Sequence, residues 1–118
     1  MHELSVMQAL LHEIETVAAT HRATSVRRVT VQIGPLSGVD SGSLQSAFEA
    51  SRGLQLIARA DLLLEPTVVS VYCRKCGGES AVTHNRLLCP RCGDYQTTLL
   101  TGDELILRRV EFEAEAHV

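Results

Sequence analysis

Apolar residues recur every three or four positions from residue 3 to about residue 20. This spacing places them on one side of a helix, with most of the polar residues on the other side. The pattern therefore predicts an amphipathic helix over this segment. The positions predicted to face the core are Leu4, Met7, Leu10, Leu11, Ile14, Val17 and Ala18.

The segment Arg28–Ile33 alternates apolar and polar residues, which is typical of a half-buried strand. Gly34 and Pro35 end it. A second helix is predicted to begin near Asp40 or Ser41, since either side chain can cap a helix, and to end near Gly53. The strand residues predicted to face inward are Val29, Val31 and Ile33, those predicted to face outward are Arg28, Thr30 and Gln32, and the inner face of the second helix is Leu44, Ala47, Phe48 and Ser51.

The remaining strands are predicted at Asp61–Tyr72, with a bend or sheet edge at Pro66, and at Glu104–Ala114. In the last strand Ile106, Val110 and Phe112 share one face, and residues 115–118 are expected to fray.

This order of elements predicts an α+β fold in which two helices cover a small, three-stranded, mainly antiparallel sheet. The segment before the last strand does not fit this pattern and is predicted to be an inserted module. We expect residues 1–69 and 101–118 to form the α+β domain and residues 70–100 to form the module.

All the cysteines lie in this inserted segment, as two Cys-x-x-Cys pairs separated by 12 residues. Two intervening residues form a tight turn, so both sulfurs of a pair can face one cation. Two such turns supply the tetrahedron of thiolates that a structural Zn2+ site requires. Iron in a rubredoxin-like site is the main alternative, and two disulfides or a redox pair are others; the doubled pair favours zinc. The predicted ligands are Cys73, Cys76, Cys89 and Cys92.

The 118 residues carry a formal charge of −3, and aromatic residues make up only 3%. Four basic residues crowd the cysteine segment, where they can offset the negative charge of the thiolates. We therefore predict no nucleic-acid binding. With no secretory signal and no apolar stretch near the ~20 residues of a membrane span, a cytoplasmic protein is expected. The four basic residues are Arg74, Lys75, Arg86 and Arg91.

The N terminus has metal-binding chemistry of a different kind. A bulky residue at position 2 favours retention of the initiator methionine, so the chain is expected to begin with a free amine on Met1. This amine, the His2 amide nitrogen and the His2 imidazole can close two chelate rings on one cation, and Glu3 can add a donor. Such a planar, nitrogen-rich site favours Ni2+ or Cu2+ over tetrahedral Zn2+.

The chain begins with Met-His-Glu-Leu-Ser and continues with an amphipathic helix, Val-x-Ile-Gly-x-Leu-Ser-Gly-Val at 31–39, Ala-Phe-Glu at 47–49, the doubled cysteine pair and Gly-Asp-Glu-Leu-Ile-Leu at 102–107. Together these motifs resemble the HypA/HybF family of hydrogenase nickel-insertion proteins over essentially the whole chain.

The resemblance implies a metallochaperone that delivers Ni2+ during maturation of NiFe-hydrogenase. It places nickel at the Met1 amine, His2 and Glu3, and structural zinc at the four cysteines. Asp40, which follows the first strand, is a further candidate nickel donor, with helix capping as its competing role. The implied partners are a HypB-type GTPase and the hydrogenase large-subunit precursor, and a homodimer stays open.

The alternative function is that of a zinc-ribbon module that binds other proteins and has no nickel role. We do not expect an enzyme, because the sequence lacks a Ser-His-Asp set, a phosphate loop and a carboxylate pair. A metal held by four cysteines also has no open position for a water molecule.

Overall fold

The computed structural model describes residues 2–113. None of the helices in this range is long and apolar enough to cross a membrane. In chain order the elements are α1 (Glu3–Thr20), β1 (Val26–Ile33), α2 (Ser41–Ala50), a 3-10 turn (Gln55–Ile57), β2 (Asp61–Pro66), β3 (Val69–Cys73), β4 (Glu79–Val82), β5 (Thr97–Thr101) and β6 (Leu105–Phe112).

Two compact units divide these residues, the first comprising 2–31, 39–64 and 106–113 and the second 32–38 and 65–105. The predicted domain boundaries, which divide the chain at residues 69 and 101, stay a prediction. Each unit contains strands of one three-stranded sheet, with the order β2-β1-β6 in one sheet and β4-β3-β5 in the other.

Two helices and the first sheet build the first unit, in which α1 packs against α2. The Glu113 amide, just after β6, donates to the Ser25 carbonyl, just before β1, so these two strands run in opposite directions. Burial of the apolar side chains of the helices and of β1 removes them from water and holds the layers together. The residues of this core include Met7, Leu10, Ile14, Ala18, Val26, Val29, Val31, Leu44, Phe48 and Ile57.

The structure confirms the predicted fold class and the extent of α1, but corrects the burial of three side chains. Leu4 is 61% exposed, because it lies in the first turn and the packed stripe begins only at Met7. Thr30, predicted to face outward, is 4% exposed; β1 is the central strand, so neighbouring strands flank this short side chain on both sides. Ile106 is 47% exposed on the edge strand β6. Ala114, the predicted end of that strand, lies outside the described residues.

The second unit has its own antiparallel sheet, with Val71 of β3 opposite Ser80 of β4 and Leu99 of β5. The segment predicted as one interrupted strand system is therefore two strands, β2 and β3, that belong to different sheets. The break follows Pro66, where the missing backbone N–H cannot continue a ladder. Both β4 and β5, which have 4 and 5 residues, lie in the inserted segment, where no strand was predicted.

A close backbone approach within the second unit requires two glycines. A methyl group at Gly34 would overlap the carbonyl of Gly102, and Gly102 itself has a φ of 121°, a conformation that favours glycine. The Gly34 amide donates to the Glu104 carbonyl at 2.8 Å. The Glu104 carboxylate in turn accepts from the Gly102 amide at 2.9 Å and from the Thr67 hydroxyl at 2.7 Å.

Candidate metal sites

Two tight turns of the same construction position the four cysteines. In the first turn the Gly77 amide donates to the Cys73 carbonyl at 2.8 Å, and the Cys73 amide donates to the Gly78 carbonyl at 2.9 Å. Gly77 has a φ of 76°, which a residue with a Cβ rarely adopts. The second turn repeats the pattern: the Gly93 amide donates to the Cys89 carbonyl at 2.7 Å, and the Cys89 amide donates to the Asp94 carbonyl at 3.0 Å.

The four sulfurs converge on one point. All lie within 4.8 Å of one another, with Cys73 Sγ and Cys92 Sγ 3.6 Å apart and Cys76 Sγ and Cys89 Sγ 3.7 Å apart. A tetrahedral zinc with Zn–S bonds of about 2.3 Å separates its sulfurs by about 3.8 Å. No disulfide joins any of the four cysteines. Their arrangement therefore fits a tetrahedral metal ion.

Backbone amides in the two turns lower the pKa of the first cysteine of each pair. Cys73 and Cys89 are buried, whereas Cys76 and Cys92 are exposed. Hydrogen bonds from the backbone amides of Cys92 and then Arg91 lower the pKa of Cys89 to about 6. The Cys76 amide lowers the pKa of Cys73 in the same way. Because thiolates and not thiols bind metals, these amides favour the metal-binding form of Cys73 and Cys89. Contacts with the Cys73 and Cys89 sulfurs raise the pKa of Cys76, and desolvation together with the same sulfurs raises the pKa of Cys92 to about 11.

At the N-terminal end, the structure brings two of the predicted nickel donors together. Met1 lies outside the described residues. His2 is exposed just before α1, and its carbonyl accepts the Val6 amide at 2.9 Å. Glu3 Oε2 accepts the Asp40 amide at 3.3 Å, although 37 residues separate them. The pKa of Glu3 is lowered to about 2; the N-terminal ammonium group is the main cause and the Asp40 amide the second.

Asp40 has an assigned structural role as the N-cap of α2. Its Oδ2 accepts the Ser43 amide at 2.8 Å and the Ser43 hydroxyl at 2.9 Å. These bonds lower the pKa of the Asp40 carboxyl, with the amide as the larger cause. The predicted capping role of Asp40 is thus confirmed, whereas its role as a nickel donor stays a prediction.

Replacing Asp40 by alanine is expected to lower the free energy of unfolding by about 1 kcal/mol, because the first turn of α2 loses its capping acceptor. Asp40→Asn is the matched control, since asparagine caps a helix about as well. Urea unfolding of both variants measures the difference. Nickel affinity tests the separate role of Asp40 as a nickel donor. Both substitutions remove the carboxylate, so both should weaken nickel binding if that carboxylate is a donor. An unfolding free energy for Asp40→Ala equal to that of the native protein would contradict the capping role.

The other described histidines do not form a metal site. His12, His21 and His84 are exposed, and the His21 ring contacts the Val17 carbonyl at 3.0 Å and lies 5.4 Å from the Phe112 ring. Within residues 2–113, the four cysteines are the one group of three or more His, Cys, Asp or Glu side chains close enough to share an ion.

One contact at the cysteine site was missed in the sequence. Arg91, predicted only to offset charge, lies over the backbone of Gly78 in the other turn. The signal available in the sequence is an asymmetry, since the first turn ends in Gly77-Gly78 and the second in Gly93-Asp94.

The chain is similar to known proteins over nearly its full length. The family model described as "Hydrogenase/urease nickel incorporation, metallochaperone, hypA" matches residues 1–112. The hydrogenase maturation factor HypA of Aquifex aeolicus is 36% identical over 115 residues, covering 98% of this chain and 100% of that protein. HypA of Nitrosospira multiformis is 38% identical over 111 residues, covering 94% of this chain and 96% of that protein.

A solved structure has the same fold. The solution structure of the Ni metallochaperone HypA from Helicobacter pylori superposes with a TM-score of 0.71 at 29% identity, covering 98% of this chain and 100% of that one. A second solution structure of a HypA protein gives a TM-score of 0.68 at 30% identity, with 98% of both chains covered. Sequence and fold therefore lead to the same family.

Proposed function

Because this chain belongs to the HypA family of nickel-incorporation metallochaperones, we propose that it binds Ni2+ at its N terminus and delivers the ion during maturation of NiFe-hydrogenase. The family acts in nickel incorporation and hydrogenase maturation and is not a family of enzymes. Nickel is thus cargo, and the chain has to hold it selectively and then release it.

The proposed nickel donors are the Met1 amine, the amide and imidazole nitrogens of His2, and Glu3. The observation that carries this assignment is the hydrogen bond from the Asp40 amide to Glu3, which fixes a carboxylate one residue from His2. With its pKa at about 2, Glu3 is anionic at neutral pH and attracts a cation. Asp40 is retained as a further candidate donor.

The proposed resident ion of the cysteine site is Zn2+. Four converging thiolates with no free position suit a structural zinc, which supplies a cross-link between the two turns when bound. Cys73 anchors the site in the sheet, since it is buried and ends β3. Backbone amides lower the pKa of the Cys73 and Cys89 thiols, which favours the metal-binding form of these two ligands.

The exposure of His2 suits the release of cargo. His2 is exposed, so an incoming protein ligand can replace its donors one at a time. The Met1 amine and the His2 amide must lose protons to bind, and they regain them when nickel leaves. The proposed recipients are a HypB-type GTPase and the hydrogenase large-subunit precursor, on the basis of the family to which the chain belongs.

Delivery is tested in a hydrogenase-producing host that lacks its own HypA and receives this chain without an N-terminal tag. The nickel content of the isolated large-subunit precursor is the measurement. We expect the native chain to restore nickel to the precursor and His2→Ala to leave it at the background level. His12→Ala, which removes an exposed histidine of α1, is the matched control and should behave as native. Equal nickel contents with the native chain and His2→Ala would contradict N-terminal delivery.

A further inference from the structure

Each cysteine turn has a glycine directly after its second cysteine, but the two turns differ at the position that follows. These residues, Gly77 and Gly93, have φ values of 76° and 78°. This backbone conformation explains why both positions are glycine. The next residue is Gly78 in the first turn but Asp94 in the second. Gly78 does not have a positive φ. Its lack of a side chain therefore needs another explanation.

The explanation is the side chain of Arg91, which occupies the space beside Gly78. A methyl group built on Gly78 would overlap the Arg91 guanidinium, and it would lie 3.2 Å from Arg91 Cδ and 3.3 Å from Cζ. Gly78 is buried although it lies in a surface turn, and Arg91 is exposed. Arg91 thus reaches from its own turn and covers the backbone of the other one.

Both residues of this contact, Gly78 and Arg91, form backbone hydrogen bonds with cysteines of the metal site. The Gly78 carbonyl accepts the Cys73 amide at 2.9 Å, and the Gly78 amide is hydrogen-bonded to Cys76. The Arg91 backbone amide is hydrogen-bonded to Cys89. Through its main chain and its side chain, this single residue therefore connects three of the four ligand positions.

The charge at the site gives the contact a second effect. Four thiolates around a divalent cation leave a net charge of −2, and a guanidinium stays protonated at any working pH. Arg74, Lys75 and Arg86 add positive charge to the same segment, but Arg91 is the cation that packs on the opposite turn.

We propose that Arg91 is a positioning residue of the cysteine site, whose guanidinium holds the two turns together over Gly78 and offsets the thiolate charge, and so slows the loss of the metal ion. The inference rests on the proposed zinc site and extends it to a residue that is not a ligand. Groups that support metal ligands without binding the metal commonly change affinity by about 10–100-fold.

The test is the rate at which the full-length, zinc-loaded protein loses Zn2+ to an excess of a colorimetric chelator. We expect Arg91→Gln to release zinc about tenfold faster than the native protein. Gly78→Ala should have a similar effect, because its methyl group displaces the guanidinium. The double variant should be no faster than either single variant, since both remove one contact. Arg74→Gln is the matched control and should stay within about twofold of native, as expected for an exposed surface charge.

Two further comparisons separate charge and contact from a general loss of stability. Arg91→Lys keeps the charge without the planar group, so its release rate should lie between those of the native protein and Arg91→Gln. High salt should narrow the gap between Arg91→Gln and native, because exposed charges are screened. A native release rate for Arg91→Gln, effects of the two single variants that multiply in the double variant, or no recovery in Arg91→Lys would each overturn the inference.

Nickel uptake by the same preparations keeps the two proposals apart. Arg91→Gln should bind nickel at the N terminus as the native protein does, because Arg91 is not among the proposed nickel donors. If the native protein bound no nickel at His2, the proposed function would be contradicted. The role of Arg91 would still be tested by the order of the zinc release rates. Equal release rates together with normal nickel binding would overturn the role of Arg91 alone.

Discussion

Replacing His2 by alanine should lower the affinity of the untagged protein for Ni2+ by more than about a hundredfold, because loss of a ligand should exceed the 10–100-fold cost typical of supporting residues. The substitution removes the imidazole that closes one of the two proposed chelate rings. Isothermal titration with Ni2+ measures the change. Zinc content should be unaffected, since the four cysteines lie in a different unit of the fold.

A form with extra residues before Met1 provides an independent test of the same site. The extension converts the terminal amine into an amide and leaves every side chain in place, so it should weaken nickel binding as His2→Ala does. His12→Ala is the control for a general effect of histidine removal, since His12 is exposed on α1. Nickel binding by the extended form and His2→Ala that equals native binding would place the nickel site elsewhere.

Removal of the cysteine-bound ion should unfold the second unit. The core residues of this unit are few, and they include Ile33, Val69 and Val71 together with Cys73 and Cys89. Structural zinc binds zinc-finger peptides with an apparent free energy of about 10–16 kcal/mol, far more than so small a core supplies. We therefore expect Cys89→Ser, or a strong chelator, to abolish the antiparallel sheet of this unit.

Amide NMR signals of β3, β4 and β5 measure this loss, and metal analysis of the native protein should give one zinc per chain. Ser80→Ala removes a half-buried hydroxyl from β4 without touching a ligand, so it is the control and should keep the signals. Retention of the sheet in metal-free protein would contradict the structural role of the ion. Iron in place of zinc would contradict its assignment.

Local sequence patterns were sufficient to predict the elements that their own residues determine. The recurring apolar positions of α1 gave its bounds, Glu3–Thr20, and Asp40 at the start of α2 is a cap, as its side chain predicts. The cysteine spacing predicted the convergence of the four sulfurs, because two short turns can present four thiolates to one ion in few ways. In these cases the information lies within a few neighbouring residues.

The features that the sequence did not reveal depend on contacts between distant residues. Leu4 has the right spacing for the core, but only tertiary packing decides where the buried stripe begins. Thr30 is buried because β1 is central, and a strand's position in its sheet is not encoded in its alternation. Strand β5 is short and forms beside β3 through long-range pairing.

The contact between Glu3 and Asp40 was predicted only in part for the same reason. His2 and Glu3 are adjacent in sequence, but the bond from the Asp40 amide to Glu3 depends on the packing of α1 against α2 within the first unit. Arg91 shows the limit most clearly. Its charge was visible in the sequence, whereas its position over Gly78 required the two turns to be placed in space.

The central claim is that nitrogen and carboxylate donors at the chain end carry nickel while sulfur donors hold a separate, resident ion. X-ray absorption at the nickel edge of untagged, zinc-replete protein loaded with one equivalent of Ni2+ tests it most directly. Nickel surrounded only by nitrogen and oxygen, with an imidazole signature that His2→Ala removes, is the predicted result. Sulfur ligands on the nickel would contradict the claim, because the cargo would then occupy the cysteine site.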